Sequence, residues 1–203
     1  MEGSNAHDGI HLQHKERGIQ FSHMGDAMPI VFSDASDKPD PEDGLCRYGY
    51  YLQMSGGPVA YSSKKLVHVG LSAFHNEYMA LRYAACVAMW SKQLLQEIGC
   101  GFLVKRPIRV YGDNLAANKL TKEHFIGTGN QYIYTPYFFI QELVDNAHIT
   151  EVMHVPTKIN IADLHTKAVA RQTIKELAPK ANGYEPEWTR VLALPKRWTH
   201  TDE

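Results

Sequence analysis

The sequence predicts a mixed α/β domain with one central sheet, and three observations predict it. Three strand-like runs come first, at 29–32, 47–54 and 59–61. One long helical period follows at 72–98. Strands and helices then alternate to about residue 177. A mixed five-stranded sheet with three leading antiparallel strands, flanked by helices, satisfies that order, with right-handed crossovers between its parallel members.

Each element has a local signal. Residues 1–27 are rich in Gly, His and polar groups and read as an N-terminal extension. Pro29-Ile-Val-Phe32 is a short apolar run that ends in Ser33-Asp34, as a buried strand would. Residues 37–44 carry two prolines, a glycine and four acids, and so form a solvated loop. The tyrosine-dense run Arg47–Met54 and the run Val59–Tyr61 flank Ser55-Gly-Gly-Pro58, which predicts a hairpin. In the long helix Tyr78, Leu81, Ala85, Ala88, Leu95 and Ile98 recur at helical spacing, with Ser72 as N-cap and Gly99 as stop.

Ile108–Tyr111 is a further strand, ending in Gly112-Asp113-Asn114, and a short helix follows at 115–122. Thr135-Pro136 predicts an N-cap and first helical residue for a helix to about Ala147. Ile149–Val155 is read as a strand, and 161–177 as a final helix. The domain is thus 28–177. Residues 178–203 form a proline-broken tail whose Trp188 and Trp198 imply packing against something.

Composition narrows the function. With 44% hydrophobic residues the 203-residue chain can fill one core. Its formal net charge of −1 means that any grip on phosphate must come from a local patch. Cys46, Cys86 and Cys100 suggest neither a disulfide framework nor a zinc site, and Cys86 is read as a small core residue. No apolar run approaches the roughly 20 residues of a membrane span, and the polar N-terminus is no secretory signal. An intracellular, reducing setting is expected.

The chemistry lies in the acids. Asp34 and Asp113 sit at strand ends. In open α/β sheets ligands bind beyond the carboxyl ends of parallel strands, so neighbouring strands would bring the two together. Glu77 lies in the second turn of the long helix, and Asp163 in the opening turn of the last. Four carboxylates around one point repel each other and have raised pKa values. Hard divalent cations relieve that repulsion, and two of them can assist phosphodiester cleavage. Each acid also has an ordinary reading, as a turn former or a helix-dipole partner.

Together these residues resemble the ribonuclease H of copia-type retrotransposons. The resemblance is carried by Phe32-Ser-Asp34-Ala35, Gly57-Pro-Val-Ala-Tyr-Ser-Ser-Lys-Lys65, and Leu71-Ser72 through Glu77-Tyr78-Met-Ala-Leu81. It continues in Tyr111-Gly-Asp113-Asn114 and in Val155-Pro-Thr157 through Asp163 to Thr166-Lys167. Gly18-Ile-Gln-Phe21 looks like the family's linker from a reverse transcriptase.

The resemblance implies the ribonuclease H-like fold and a metal-dependent endonuclease that cuts the RNA strand of an RNA–DNA hybrid. It implies Asp34, Glu77, Asp113 and Asp163 as catalytic acids holding two Mg2+ ions, with Mn2+ as a substitute. A reverse transcriptase in the same polyprotein and a cytoplasmic (virus-like particle) or nuclear location follow from it. Lys64, Lys65, Ser63, Asn76 and Asn114 are candidates for touching the hybrid, through phosphates and 2′-hydroxyls. No membrane partner is expected.

Departures from the family weigh against strong binding. The segment Gly129-Asn-Gln-Tyr-Ile-Tyr-Thr-Pro-Tyr-Phe138 is neutral and aromatic where the family is cationic. The loop Pro156–Asn160 lacks the histidine that some cellular ribonucleases H use there, and His154 and His165 flank it instead. Two competing readings remain: a binding module that has lost activity, and another metal nuclease on the same fold. All four acids favour the active enzyme over the first. The hairpin-led order and the late Asp163 favour ribonuclease H over the second.

Overall fold

The structure is a computed structural model and describes residues 18–192; Trp198 and residues 1–17 lie outside the described residues. Five strands form one sheet in the order β3-β2-β1-β4-β5. β1 (Ile30–Ala35), β2 (Arg47–Met54) and β3 (Gly57–Lys65) are antiparallel neighbours. β4 (Arg109–Gly112) pairs parallel with β1, and β5 (Met153–His154) pairs parallel with β4. The last strand is shorter than the run 149–155 suggests. Among its other residues Ile149 makes one isolated parallel bridge, to Ile108.

The β2–β3 turn is made by Ser55 and Gly56, both at positive φ (49° and 75°). Two-residue hairpin loops prefer such backbone because its twist matches that of the strands.

Alternation along the strands divides the core into two faces. Val31, Leu52 and Val110 face α1 (Ala73–Glu97) and α3 (Tyr134–Asp145), where Tyr78, Leu81, Ala84, Ala88, Tyr137 and Ile140 meet them. Ile30, Phe32, Tyr51 and Tyr111 face the other way, onto Ile161, Ala162, Ala181, Trp188 and Leu192. The tail residue Trp188 lies with its ring 5.2 Å from that of Phe32. Tyr51 donates its hydroxyl hydrogen bond to the Ala181 carbonyl. At the front, Gln20 N–H donates to the Asn182 carbonyl (2.8 Å), and Asp26 pairs with the buried Arg109. Residues 18–27 and 182–192 therefore pack against the sheet domain rather than extending away from it.

α1 begins where the sequence places it. Ser72 caps it, accepting a hydrogen bond from His75 N–H at 3.1 Å. α3 begins differently: it starts at Tyr134 after Ile133, without a side-chain cap, and Pro136 is its third residue. Proline is harmless there because the first-turn N–H groups have no partner within the helix. Just before α3, Thr128–Ile133 forms a 3-10 turn.

The final helix is also divided. Ile161–His165 is 3-10, the chain then opens, and α4 spans Arg171–Ala181. Ala170, just before α4, is extended (φ −61°, ψ 150°). Cys86 is exposed, on the outer side of α1, whereas Cys46 is buried. The apolar run around Cys86 is therefore one face of an amphipathic helix, and the thiol lies off that face.

Candidate metal centre

The parallel pairing of β1 with β4 sets Ser33 opposite Gly112, so Asp34 and Asp113 emerge side by side at the carboxyl ends of two adjacent strands. α1 crosses this edge and brings in Glu77 from its second turn. One carboxylate oxygen from each of Asp34, Glu77 and Asp113 lies within 4.8 Å of the other two. This is the convergence that the strand-end acids predict, now with the helix acid included.

Asp163 reaches the same place from the 3-10 turn 161–165 rather than from a helix's opening turn. Asn160 positions that turn. Its buried side chain donates to the Ser33 carbonyl (3.0 Å) and accepts from Ala162 N–H (3.2 Å). Gly49 on β2 permits the approach, since a Cβ there would lie 2.8 Å from the His165 Cβ and 2.9 Å from the Thr166 Cγ2. A side chain at this position would push the turn, and Asp163 with it, off the sheet.

The surrounding groups hold the carboxylates in place. Thr166 donates its hydroxyl hydrogen bond to Asp34, and Thr157 donates to Asp113 at 2.9 Å. The backbone N–H of Ala35 supports Glu77. Lys167 Nζ lies 3.0 Å from Asp163 and 3.9 Å from Asp34. Thr157 and Thr166 belong to recognisable sequence blocks, yet neither carries a local signal of a role at the site. Their roles depend on the 3-10 turns, which carry no periodic signal.

Burial and mutual repulsion govern the electrostatics. Burial, then the charge of Asp163, raises the Asp34 carboxyl to about 8, against the opposing effects of Thr166 and Lys167. Burial, then the charges of Asp34 and Asp113, raises Glu77 to about 9. Asp163 is raised too, chiefly by burial. Clustered, desolvated carboxylates that hold protons without a cation are a donor set suited to a hard divalent ion. The residues present fit such a group.

The expected nucleic-acid contacts separate into two sets. Ser63 and Lys64 are exposed on β3. Asn114 stands beside Asp113 and caps α2 (Leu115–Leu120), accepting from Ala116 and Ala117 N–H at 3.1 Å each. Lys65 is held by Asp40 and Asp43, both at 2.6 Å, and so ties down the acidic β1–β2 loop. Asn76 is buried beneath Gly70. Lys65 is thus paired at the surface, whereas Asn76 is buried.

In the neutral segment 129–138, Ile133 and Tyr137 enter the core, while Tyr132, Tyr134 and Phe138 remain at the surface. His154 is exposed. His165 stacks near Tyr61, with ring centroids 5.0 Å apart.

Comparison with known proteins bears on the family and the fold. The chain is 32% identical over 150 residues to the retrovirus-related Pol polyprotein from transposon TNT 1-94 of Nicotiana tabacum. That match covers 73% of this chain and 11% of the relative. Among solved structures, the N-terminal RNase H domain of a Mycobacterium tuberculosis protein superposes with a TM-score of 0.52 at 14% identity. It covers 74% of this chain and 98% of its own. The chain is a relative of copia-type retrotransposon Pol polyproteins and carries the ribonuclease H fold.

LC11-RNase H1, solved in complex with an RNA/DNA hybrid, also superposes on this Pol-related domain, with a TM-score of 0.52 at 16% identity. That match covers 68% of this chain and 93% of the other. No family model matches the chain. The domain spans about a tenth of the length of the curated Pol polyproteins it matches.

Proposed function

We propose that this domain is a metal-dependent endonuclease that cleaves the RNA strand of RNA–DNA hybrids during retrotransposon reverse transcription. The observation that carries the reading is the meeting of Asp34, Glu77 and Asp113 within 4.8 Å, with Asp163 beside them, at the carboxyl edge of a ribonuclease H sheet. Asp34, Glu77, Asp113 and Asp163 would hold two Mg2+ ions, with Mn2+ as a substitute. Such ions activate the attacking water and stabilise the leaving oxygen in phosphodiester hydrolysis.

The chain's own groups prepare that site. Thr166 and Thr157 fix the orientation of Asp34 and Asp113, which keeps their free oxygens directed at the cluster. Burial of Asp34 and Glu77 excludes bulk water from one side of the cluster, while Asp113 remains partly open to substrate. On this reading Asn114, Ser63 and Lys64 touch the hybrid near the cut, Asn114 closest because it adjoins Asp113.

The cationic surface is thin. Lys65 is paired, and segment 129–138 is neutral. Binding by the domain alone should therefore be weak and shallow in salt dependence. A reverse transcriptase elsewhere in the same polyprotein would supply the missing grip.

The test is a comparison of three labelled duplexes of one sequence, RNA–DNA, RNA–RNA and DNA–DNA, at low salt with Mg2+ or Mn2+. The proposal predicts cutting of the RNA strand of the hybrid alone. Equal cutting of DNA–DNA would point to a different nuclease on this fold. Binding of the hybrid without any cutting would point to a non-enzymatic module.

A further inference from the structure

Lys167 is the one cation within salt-bridge distance of the acid cluster among the described residues. Its ammonium lies between Asp163 (3.0 Å) and Asp34 (3.9 Å), the two members joined by the 3-10 turn and the Thr166 hydrogen bond. Asp163 is the acid outside the tight triad, so the cluster divides in two. Asp34, Glu77 and Asp113 face one another, while the Asp34–Asp163 pair faces a lysine.

We infer that Lys167 is a tethered counter-ion that competes with the second of two metal ions for the Asp34–Asp163 side of the centre. The inference rests on the metal-centre reading above and extends it to the order of loading. A first divalent ion would be held by Asp34, Glu77 and Asp113, whose oxygens already lie within 4.8 Å of one another. A second ion, drawing on Asp34 and Asp163, must first move the ammonium, because two cations at one carboxylate pair repel each other.

The structure gives the lysine somewhere to go. Its side chain is 40% exposed. It also lines a cavity of about 510 Å³ together with Ser36, Asp37, Lys38, Asp40, Arg47 and Thr166. Withdrawn toward that cavity, the ammonium would meet Asp37, whereas Asp40 is already paired with Lys65 and the cations Lys38 and Arg47 share the wall. Before any metal arrives, the same lysine offsets part of the repulsion among the acids, and this makes it stabilising in the metal-free protein.

The experiment titrates the full 203-residue chain with Mn2+ by calorimetry, together with Lys167→Met, Lys167→Gln, Lys167→Arg and Asp113→Asn. Melting of the metal-free forms is followed alongside. The wild type should bind a first ion and then a weaker second. Both neutral variants should tighten the second event by about tenfold or more, a change of roughly 1.4 kcal/mol, and should melt below wild type without metal. Lys167→Arg, which keeps the charge, should resemble wild type in both.

An unchanged second event in the neutral variants overturns the inference while leaving the metal centre standing, and so does equal tightening in Lys167→Arg. Identical metal-free melting of all the Lys167 forms overturns it as well. Absence of Mn2+ binding in the wild type, with Asp113→Asn indistinguishable from it, overturns the inference together with the metal centre beneath it.

Discussion

Raising the pH of the metal-free protein should destabilise it, in a window where most proteins are indifferent. Asp34 is raised from 3.8 to about 8 and Glu77 from 4.5 to about 9. At pH 6.5 both carboxyls have lost their protons in the unfolded chain and keep them in the folded one. The folded state therefore binds more protons, and stability falls as the pH rises. This stabilisation is fully present below the unfolded values near 4 and is lost as the pH climbs through the folded values of about 8 and 9.

Histidines do not confuse the window if it starts at their unfolded value. His75 and His165 are both lowered from 6.5 by burial, and a lowered histidine adds stability with rising pH only up to that point. Counting only one of the two retained protons gives a lower bound. One proton is worth about 1.4 kcal/mol per pH unit, or roughly 2 kcal/mol between about pH 6.5 and pH 8. For a domain of this size that lowers the melting temperature by about 4–8 °C.

The assay is thermal unfolding followed by circular dichroism in chelator, repeated with saturating Mg2+. Metal should flatten the dependence because a bound cation favours the ionised carboxylates. The double variant Asp34→Asn/Glu77→Gln should flatten it without metal. A metal-free melting temperature that stays level or rises over this interval would refute the reasoning, since the carboxyls would then not be holding protons.

Three further outcomes follow from particular contacts. Thr166→Val removes the hydroxyl that orients Asp34 and should lower metal affinity or hybrid cleavage about 10–100-fold, read by Mn2+ titration with the fold checked by circular dichroism. Trp188→Ala takes away a ring packed on Phe32 and should cost about 3–5 kcal/mol in urea unfolding; a loss under about 1 kcal/mol would show the tail to be dispensable. Ser72→Ala deletes the α1 cap and should cost about 1 kcal/mol without changing metal affinity, because Glu77 lies one turn further into the helix.

Much of the fold and the centre of the site could be read from the residues. Strong local patterns account for that. The tyrosine-dense run 47–54 before a glycine turn gave β2 its bounds, Ser72 gave α1 its start, and Asp34 and Asp113 at adjacent strand ends gave the centre its place. The failures arise where tertiary contacts override local preference. Residues 161–177 look like one helix, but Thr166 turns to Asp34 and Ala170 is extended, so the helix begins only at Arg171. Cys86 has apolar neighbours in sequence, yet its angular position on α1 leaves it in solvent. The pairing of Lys65 with Asp40 and Asp43 of the acidic loop 37–44 likewise has no local signal. Thr157 and Thr166 act through carboxylates distant in sequence, and no spacing rule announces such a pairing.

The central claim is that Asp34, Glu77, Asp113 and Asp163 form a working metal centre. Its most direct test is single-turnover cleavage of an RNA–DNA hybrid labelled on the RNA strand, with Mg2+ or Mn2+, by the wild type and by Asp113→Asn. The account predicts metal-dependent cutting that chelator stops and Asp113→Asn abolishes, with both proteins equally folded. Undiminished cutting by Asp113→Asn, or cutting that persists in chelator, would contradict it.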